Sequence, residues 1–282
     1  LVEDLQAVIS FIRVFKEDLA IFRVKPVNGS IPNFRAGQFV SLAFPTLQGE
    51  DGKLVRRAYS IASPPQQQKY FEFYVRWARK PVPGKLTTEL FGKKTGDEIL
   101  WRKPIGPFGV VDERPDGSPD TRRIVMVAGG TGIAPFISFT LDLKARGDKR
   151  EIVLLHGASY VDELVYAELL TDLEEESIDK GKDHWNFRYR ASISRPNEPL
   201  NKSWGGHKGR IETFLKPDPA TGKSPLEELV GEKITPENTM FYGCGFQGTI
   251  DGIMQTLGPL GFVDEEHMRE DGSFDVKYES YG

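Results

Sequence analysis

Over residues 1–115 apolar and polar side chains alternate in short runs. The runs 7–15, 20–26, 38–44, 57–63, 70–77 and 98–101 are rich in β-branched and aromatic residues, with Gly, Pro and Asn between them. Side chains on a strand point to alternate faces, so each run predicts a strand with one face toward a core. Short strands at this spacing predict a small closed barrel or a sandwich, and closure removes exposed sheet edges. One helical segment interrupts them, where Thr87 or Thr88 would cap Glu89, Leu90 and Phe91.

The pattern changes near residue 111. The run 112–120 is charged and holds Pro115, Gly117 and Pro119, which predicts a linker or surface loop. Beyond it, strand-type runs at 123–128, 151–156, 187–192 and 239–243 alternate with helix-type runs at 135–145, 161–174, 210–215 and 249–257. That alternation predicts a parallel sheet with crossover helices. The expected organisation is two domains, 1–115 of β-barrel type and 121–282 of α/β type. No internal repeat or low-complexity tract is present.

Composition narrows the class. The 282 residues are 39% hydrophobic and 28% charged, a globular balance with length enough for two cores. No apolar run approaches the ~18 residues of a membrane span, and the acidic first ten residues predict no secretory signal. Net charge is −4, from 37 basic and 41 acidic side chains, without the basic excess of a nucleic-acid binder. Cys244 is the single cysteine. It permits no internal disulfide and no Cys₄ iron–sulfur or zinc site, and it suits a reducing, cytoplasmic location. No metal site is expected.

Four features carry chemistry. Arg57-Ala58-Tyr59-Ser60-Ile61-Ala62-Ser63 suits an ordinary β edge, and equally a site where arginine pairs with phosphate, tyrosine stacks and serine hydrogen-bonds a ring. Ala128-Gly129-Gly130-Thr131-Gly132-Ile133-Ala134-Pro135 follows a strand and opens a helix, with Pro135 at the favoured first position. Small residues there let backbone N–H groups approach a pyrophosphate at the helix N-terminus. Tyr242-Gly243-Cys244-Gly245-Phe246 ends another strand. A buried thiol is its plain reading, and a ligand beyond the strand's carboxyl end its functional one. The tail Tyr278-Glu279-Ser280-Tyr281-Gly282 is either frayed or part of a site.

In this order, and with Gly106-Pro107-Phe108-Gly109, these pieces resemble the ferredoxin–NADP⁺ reductase superfamily, most of all its bacterial single-chain ferredoxin and flavodoxin reductases. The resemblance covers nearly the whole chain. It implies an antiparallel Greek-key β-barrel that binds FAD, followed by an α/β domain that binds NADP(H). On the matching positions Arg57 would meet the FAD phosphates, Ala58 would belong to the same cofactor-binding run, Tyr59 would stack on the isoalloxazine and Ser60 would bond near flavin N5. Gly84-Lys85-Leu86-Thr87 would form the second flavin-phosphate loop. Gly130, Thr131 and Gly132 would hold the NADP pyrophosphate, and Gly243 and Cys244 would lie beside the nicotinamide. Ser194, Arg195 and Arg210 match positions that recognise the 2′-phosphate, with Lys208 nearby. One departure is that Ala158-Ser159 follows His156-Gly157, where bacterial relatives often place an arginine. Glu279 and Tyr281 resemble a carboxylate and a terminal aromatic that covers the flavin, although Gly282 follows here. His156 and the four tryptophans read as packing residues.

The implied activity is electron transfer between NADP(H) and a ferredoxin or flavodoxin, with Ser60, Cys244, Glu279 and Tyr281 at the catalytic centre. Two alternatives stand beside it. One is the reductase component of a multicomponent oxygenase; the other is a non-catalytic flavin-binding subunit of an electron-transfer complex.

Overall fold

In the computed structural model, which describes residues 3–281, the alternating runs of the first third become strands. They are β1 (Leu5–Lys16), β2 (Leu19–Pro26), β3 (Phe39–Gln48), β4 (Leu54–Ser60), β5 (Phe71–Arg76) and β6 (Glu98–Trp101), with helix α1 (Lys85–Phe91) before β6. The antiparallel order β4-β3-β6-β1-β2-β5 inserts β6 between β1 and β3, a Greek-key path. Inward residues such as Ile9, Phe22, Val40, Leu42, Phe71, Phe73 and Trp101 share one core, which Leu86 and Leu90 of α1 help to seal. Burying each such side chain stabilises the unit by ~1.5–3 kcal/mol. Irregular register between β1 and β2 bends the sheet. Just past β4, the Ala62 N–H donates to the Glu72 carbonyl on β5 (2.8 Å), so the two edges come together. The sheet is therefore the expected barrel.

The second set is β7 (Arg123–Gly129), α2 (Ala134–Arg146), β8 (Ile152–Ala158), α3 (Ala167–Lys180), β9 (Phe187–Ile193), β10 (His207–Lys208), α4 (Pro225–Val230), β11 (Thr239–Phe246), α5 (Gln247–Leu257) and β12 (Val276–Tyr281). All its strand pairs are parallel, in the order β10-β9-β8-β7-β11-β12. The central strands β7, β8 and β11 are buried almost throughout, which is why they read as unbroken apolar runs. The chain divides into two units: residues up to Val110 with Ala134–Leu143, and Val111–Ile133 with the residues from Lys144 on. Residues 134–143 join the first unit because Phe136 and Phe139 pack on Phe108 (5.9 and 5.4 Å between centroids). The Ser138 hydroxyl adds a bond to the Ser63 carbonyl (2.9 Å).

Several expectations need correction. Neither Thr87 nor Thr88 caps α1. Gly84 does, because only it has the extended backbone of a residue just outside the helix (φ −67, ψ 121). The Thr87 hydroxyl instead donates to the Gly84 carbonyl (3.1 Å), and that of Thr88 accepts the Trp77 indole N–H (3.0 Å). α2 opens at Ala134, one residue before Pro135, after a 3₁₀ turn over Gly130–Ile133. Residues 161–163 form a separate 3₁₀ turn ahead of α3, and Ile211–Leu215 is 3₁₀ rather than α. The run 112–120 is the expected surface loop, built as a pinned hairpin. The Arg114 N–H donates to the Ser118 carbonyl (2.8 Å), and Asp120, 4% exposed, pairs with Arg122 (2.6 Å). The tail is a strand up to Tyr281, and Gly282 lies outside the described residues.

Candidate functional site

In the first unit, β4 carries the Arg57–Ser60 run at the sheet edge, where strand alternation sends Arg57 and Tyr59 to one face and Ala58 and Ser60 to the other. Arg57 is exposed, and its guanidinium donates to the Arg56 carbonyl (2.7 Å). The Tyr59 ring meets Phe73 edge-on (6.2 Å). Its hydroxyl is enclosed and has no hydrogen-bond partner, and burial pushes its pKa above the usual tyrosine range. Ser60 is 9% exposed. The Gly84–Thr87 segment forms the first turn of α1, with Lys85 exposed and Leu86 in the core. A Cβ on Gly84 would lie 2.8 Å from the Thr87 hydroxyl, so the turn is built close.

In the second unit, β7 runs into the turn at Gly129–Gly132, which presses on the end of β11. A Cβ at Gly132 would sit 2.2 Å from the Cys244 carbonyl oxygen, an approach only glycine permits. Gly130 has φ +55, and a Cβ there would meet nothing within 4 Å, so its outer side is open. Thr131 is half-buried at that opening. Across the sheet, His156 lies opposite Ala128 and brings Nε2 to 3.0 Å from the Gly130 carbonyl. The ring is fully buried, and burial lowers its pKa to about 4, with the Gly130 bond and the Glu163 charge acting in the other direction.

Cys244 is buried on β11 between Ala128 of β7 and Glu279 of β12. Burial, and then the Glu279 charge, push its thiol well above the usual range, opposed by a side-chain hydrogen bond with Tyr281. The sulfur is a protonated thiol, not a nucleophile. Glu279 and Tyr281 are half-buried on β12, where Tyr281 pairs in register with Phe246. Gly243, Cys244, Glu279 and Tyr281 are thus brought together around the end of one strand pair.

The phosphate-recognising candidates are placed less simply. Ser194 and Arg195 follow β9 and are exposed. The Arg195 guanidinium lies over the Tyr160 ring (5.5 Å) and donates to its hydroxyl (3.1 Å). Arg210 is ion-paired with Glu212 and donates to the Gly248 carbonyl (2.9 Å). Both arginines already have protein partners, a restraint invisible in the sequence. Lys208 is exposed on β10. Trp77 is a packing residue, stacked on Phe91 (5.5 Å) under the Arg79 guanidinium.

These arrangements suit the groups that the resemblance implies. An enclosed, unpartnered tyrosine hydroxyl beside an exposed arginine suits a ligand rich in acceptors and phosphate. A close-packed glycine turn, open on one side at a helix start, suits a pyrophosphate. Among the described residues no cluster of three or more His, Cys, Asp or Glu is placed to hold a metal ion, and no helix is long and apolar enough to cross a membrane.

Known proteins agree with both halves. The oxidoreductase FAD-binding domain model matches residues 6–109, and the oxidoreductase NAD-binding domain model matches 126–255. A ferredoxin–NADP reductase of Azotobacter vinelandii is 28% identical over 256 residues, 90% of this chain and 90% of its own. The reductase component of phenol 2-monooxygenase from Pseudomonas sp. (strain CF600) is 31% identical over 217 residues, 76% of this chain and 54% of its own. A ferredoxin NADP⁺ reductase from Neisseria gonorrhoeae, solved with bound FAD and NADP, superposes with a TM-score of 0.75 at 25% identity, covering 99% of each chain. The chain spans about half the length of the first curated relatives that it matches. It carries an FAD-binding and an NAD-binding domain.

Proposed function

We propose that this chain, which belongs to the ferredoxin–NADP⁺ reductase superfamily, passes electrons between NADP(H) and a one-electron carrier protein, a ferredoxin or a flavodoxin. The observation that carries this reading is the end-to-end likeness to a ferredoxin NADP⁺ reductase that holds both nucleotides. FAD, when bound, supplies the exchange between a two-electron hydride and single electrons.

The chain's own residues bind and orient. Arg57 and the amides of Gly84–Thr87 hold flavin phosphates, Tyr59 packs on the flavin ring and Ser60 hydrogen-bonds it. The amides of Gly130–Gly132 hold the nicotinamide nucleotide's pyrophosphate. Ser194, Arg195 and Arg210 receive the 2′-phosphate, with Arg210 turning from Glu212 to do so. The neutral thiol of Cys244 would fill space beside the nicotinamide, with Tyr281 as the cover for the flavin and Glu279 as the group that would hold or pass a proton.

The test is titration of the purified flavoprotein with NADPH and NADH, then with a panel of carriers. Rapid bleaching by NADPH followed by reduction of a ferredoxin or flavodoxin is expected. A protein that takes up no FAD, or FMN instead, overturns the reading. A second reading, the reductase of a multicomponent oxygenase, is favoured by the identity with the phenol 2-monooxygenase component. One cysteine in 282 residues puts any Cys₄ cluster of such a system on other residues or another protein. Transfer to an oxygenase partner but to no free carrier would select it.

A further inference from the structure

We propose that His156 is a positioning residue for the nucleotide-binding turn, holding the Gly130 carbonyl so that the Thr131 amide faces the pyrophosphate. This rests on the reading of Gly130–Gly132 as the pyrophosphate cradle. A carbonyl only accepts hydrogen bonds, so the contact of 3.0 Å requires the proton on Nε2. Full burial keeps the ring neutral, so Nδ1 is left as an acceptor, and that nitrogen is enclosed without a partner. Its depressed pKa agrees with a ring that is neutral near pH 7.

Stability does not explain this side chain. His156 lies between Ala128 and Ala191 in the middle of the sheet, and is wholly buried. An unpaired buried acceptor destabilises the fold, and an aliphatic residue there would remove that cost. What histidine supplies is a fixed carbonyl. The peptide joining Gly130 and Thr131 is planar, so its C=O and N–H point in opposite directions. With the carbonyl drawn to His156, the Thr131 N–H turns away from β8. A glycine at φ +55 has backbone freedom to turn that peptide over, and the imidazole selects one orientation. The 3₁₀ turn and α2 then continue from a set starting point. Sequence spacing did not reveal the pair, since it depends on the register of β8 against β7.

The experiment compares His156→Leu, His156→Gln and His156→Asn in the FAD-loaded protein. The glutamine amide nitrogen reaches the position of Nε2, whereas that of asparagine stops near Nδ1. In the Leu and Asn variants the Kd for NADP⁺, measured by calorimetry, should rise about tenfold or more. The limiting rate of flavin reduction at saturating NADPH should stay within about twofold, and Gln should restore binding. Amide hydrogen exchange over residues 129–133 should quicken in Leu and Asn but not in Gln, and Tm of the Leu variant should not fall. Wild-type affinity in the Leu variant, or a Gln variant as weak as Leu, overturns the positioning role. A wild-type protein that binds neither NADP⁺ nor NAD⁺ overturns the reading of the turn itself.

Discussion

His156 also sets a titration. Burial disfavours the imidazolium and lowers its pKa to about 4, against 6.5 for the free side chain. Between those values the unfolded chain binds a proton that the folded protein refuses, so stability is complete above pH 6.5 and falls as pH drops toward 4. The loss from this residue approaches ~3 kcal/mol. His207, lowered by its own burial, acts with the same sign. Urea midpoints measured from pH 7.5 to 4 should show the decline, and His156→Leu should flatten it; an unchanged slope would mean that the imidazole is not neutral in the fold. At Cys244 the raised pKa leads to a chemical expectation. The folded protein at pH 8 should resist iodoacetamide and react only once unfolded, since the thiolate is the reactive form. Cys244→Ser should keep FAD and slow flavin reduction in stopped flow. Prompt alkylation of the native protein would refute the enclosed thiol.

At the scale of elements, the sequence was readable wherever burial imposed a period. The barrel strands alternate because one face is wet, and β7, β8 and β11 are largely apolar because both faces are covered. Short elements escaped. β10 has two residues, too few for any period, and α4 has six. α4 was not among the expected helices, although Ser224, Pro225 and Glu227 form a capping box at its start. β12 alternates Val276, Tyr278 and polar neighbours, a strand pattern passed over because it ends the chain. The Arg57 run and the Gly130 turn were legible as motifs; the His156–Gly130 bond and the Arg210–Glu212 pair were not, since tertiary register makes them. The β12 strand fixes Tyr281 against Phe246, so the proposed cover is a held ring rather than a loose end. Aromatic stacking of ~0.5–1.5 kcal/mol is enough to hold such a cover and weak enough to yield. Tyr281→Ser should therefore strengthen nicotinamide–flavin charge-transfer absorbance and narrow the NADPH/NADH ratio. If both stay as in wild type, Tyr281 is no cover.

On the scale of the whole molecule, each unit has its own core and carries its own arginines among those proposed to bind phosphate. Arg57 belongs to the first, among strands that share the barrel core, and Arg195 and Arg210 to the second, where Ile211, next to Arg210, lies in a separate core. If Arg57 serves the flavin phosphates and Arg195 and Arg210 the 2′-phosphate, as proposed, the two nucleotide affinities should separate by variant. A charge-assisted bond to phosphate is worth ~1.5–3 kcal/mol, or about tenfold or more in Kd. Arg57→Ala should weaken FAD retention by that factor, while 2′,5′-ADP, a probe that carries the 2′-phosphate without nicotinamide, binds as to wild type. Arg195→Ala with Arg210→Ala should do the reverse, keeping FAD and losing 2′,5′-ADP, with NADPH preference over NADH narrowing in step. The pair should lose less than two independent bonds predict, because Arg210 must first leave Glu212 and Gly248 to reach a phosphate. Calorimetry with 2′,5′-ADP and flavin release on dilution measure the two sides directly. Arg57→Ala weakening both ligands equally would show one coupled site, and an unchanged 2′,5′-ADP affinity in the double variant would leave those arginines as surface charges.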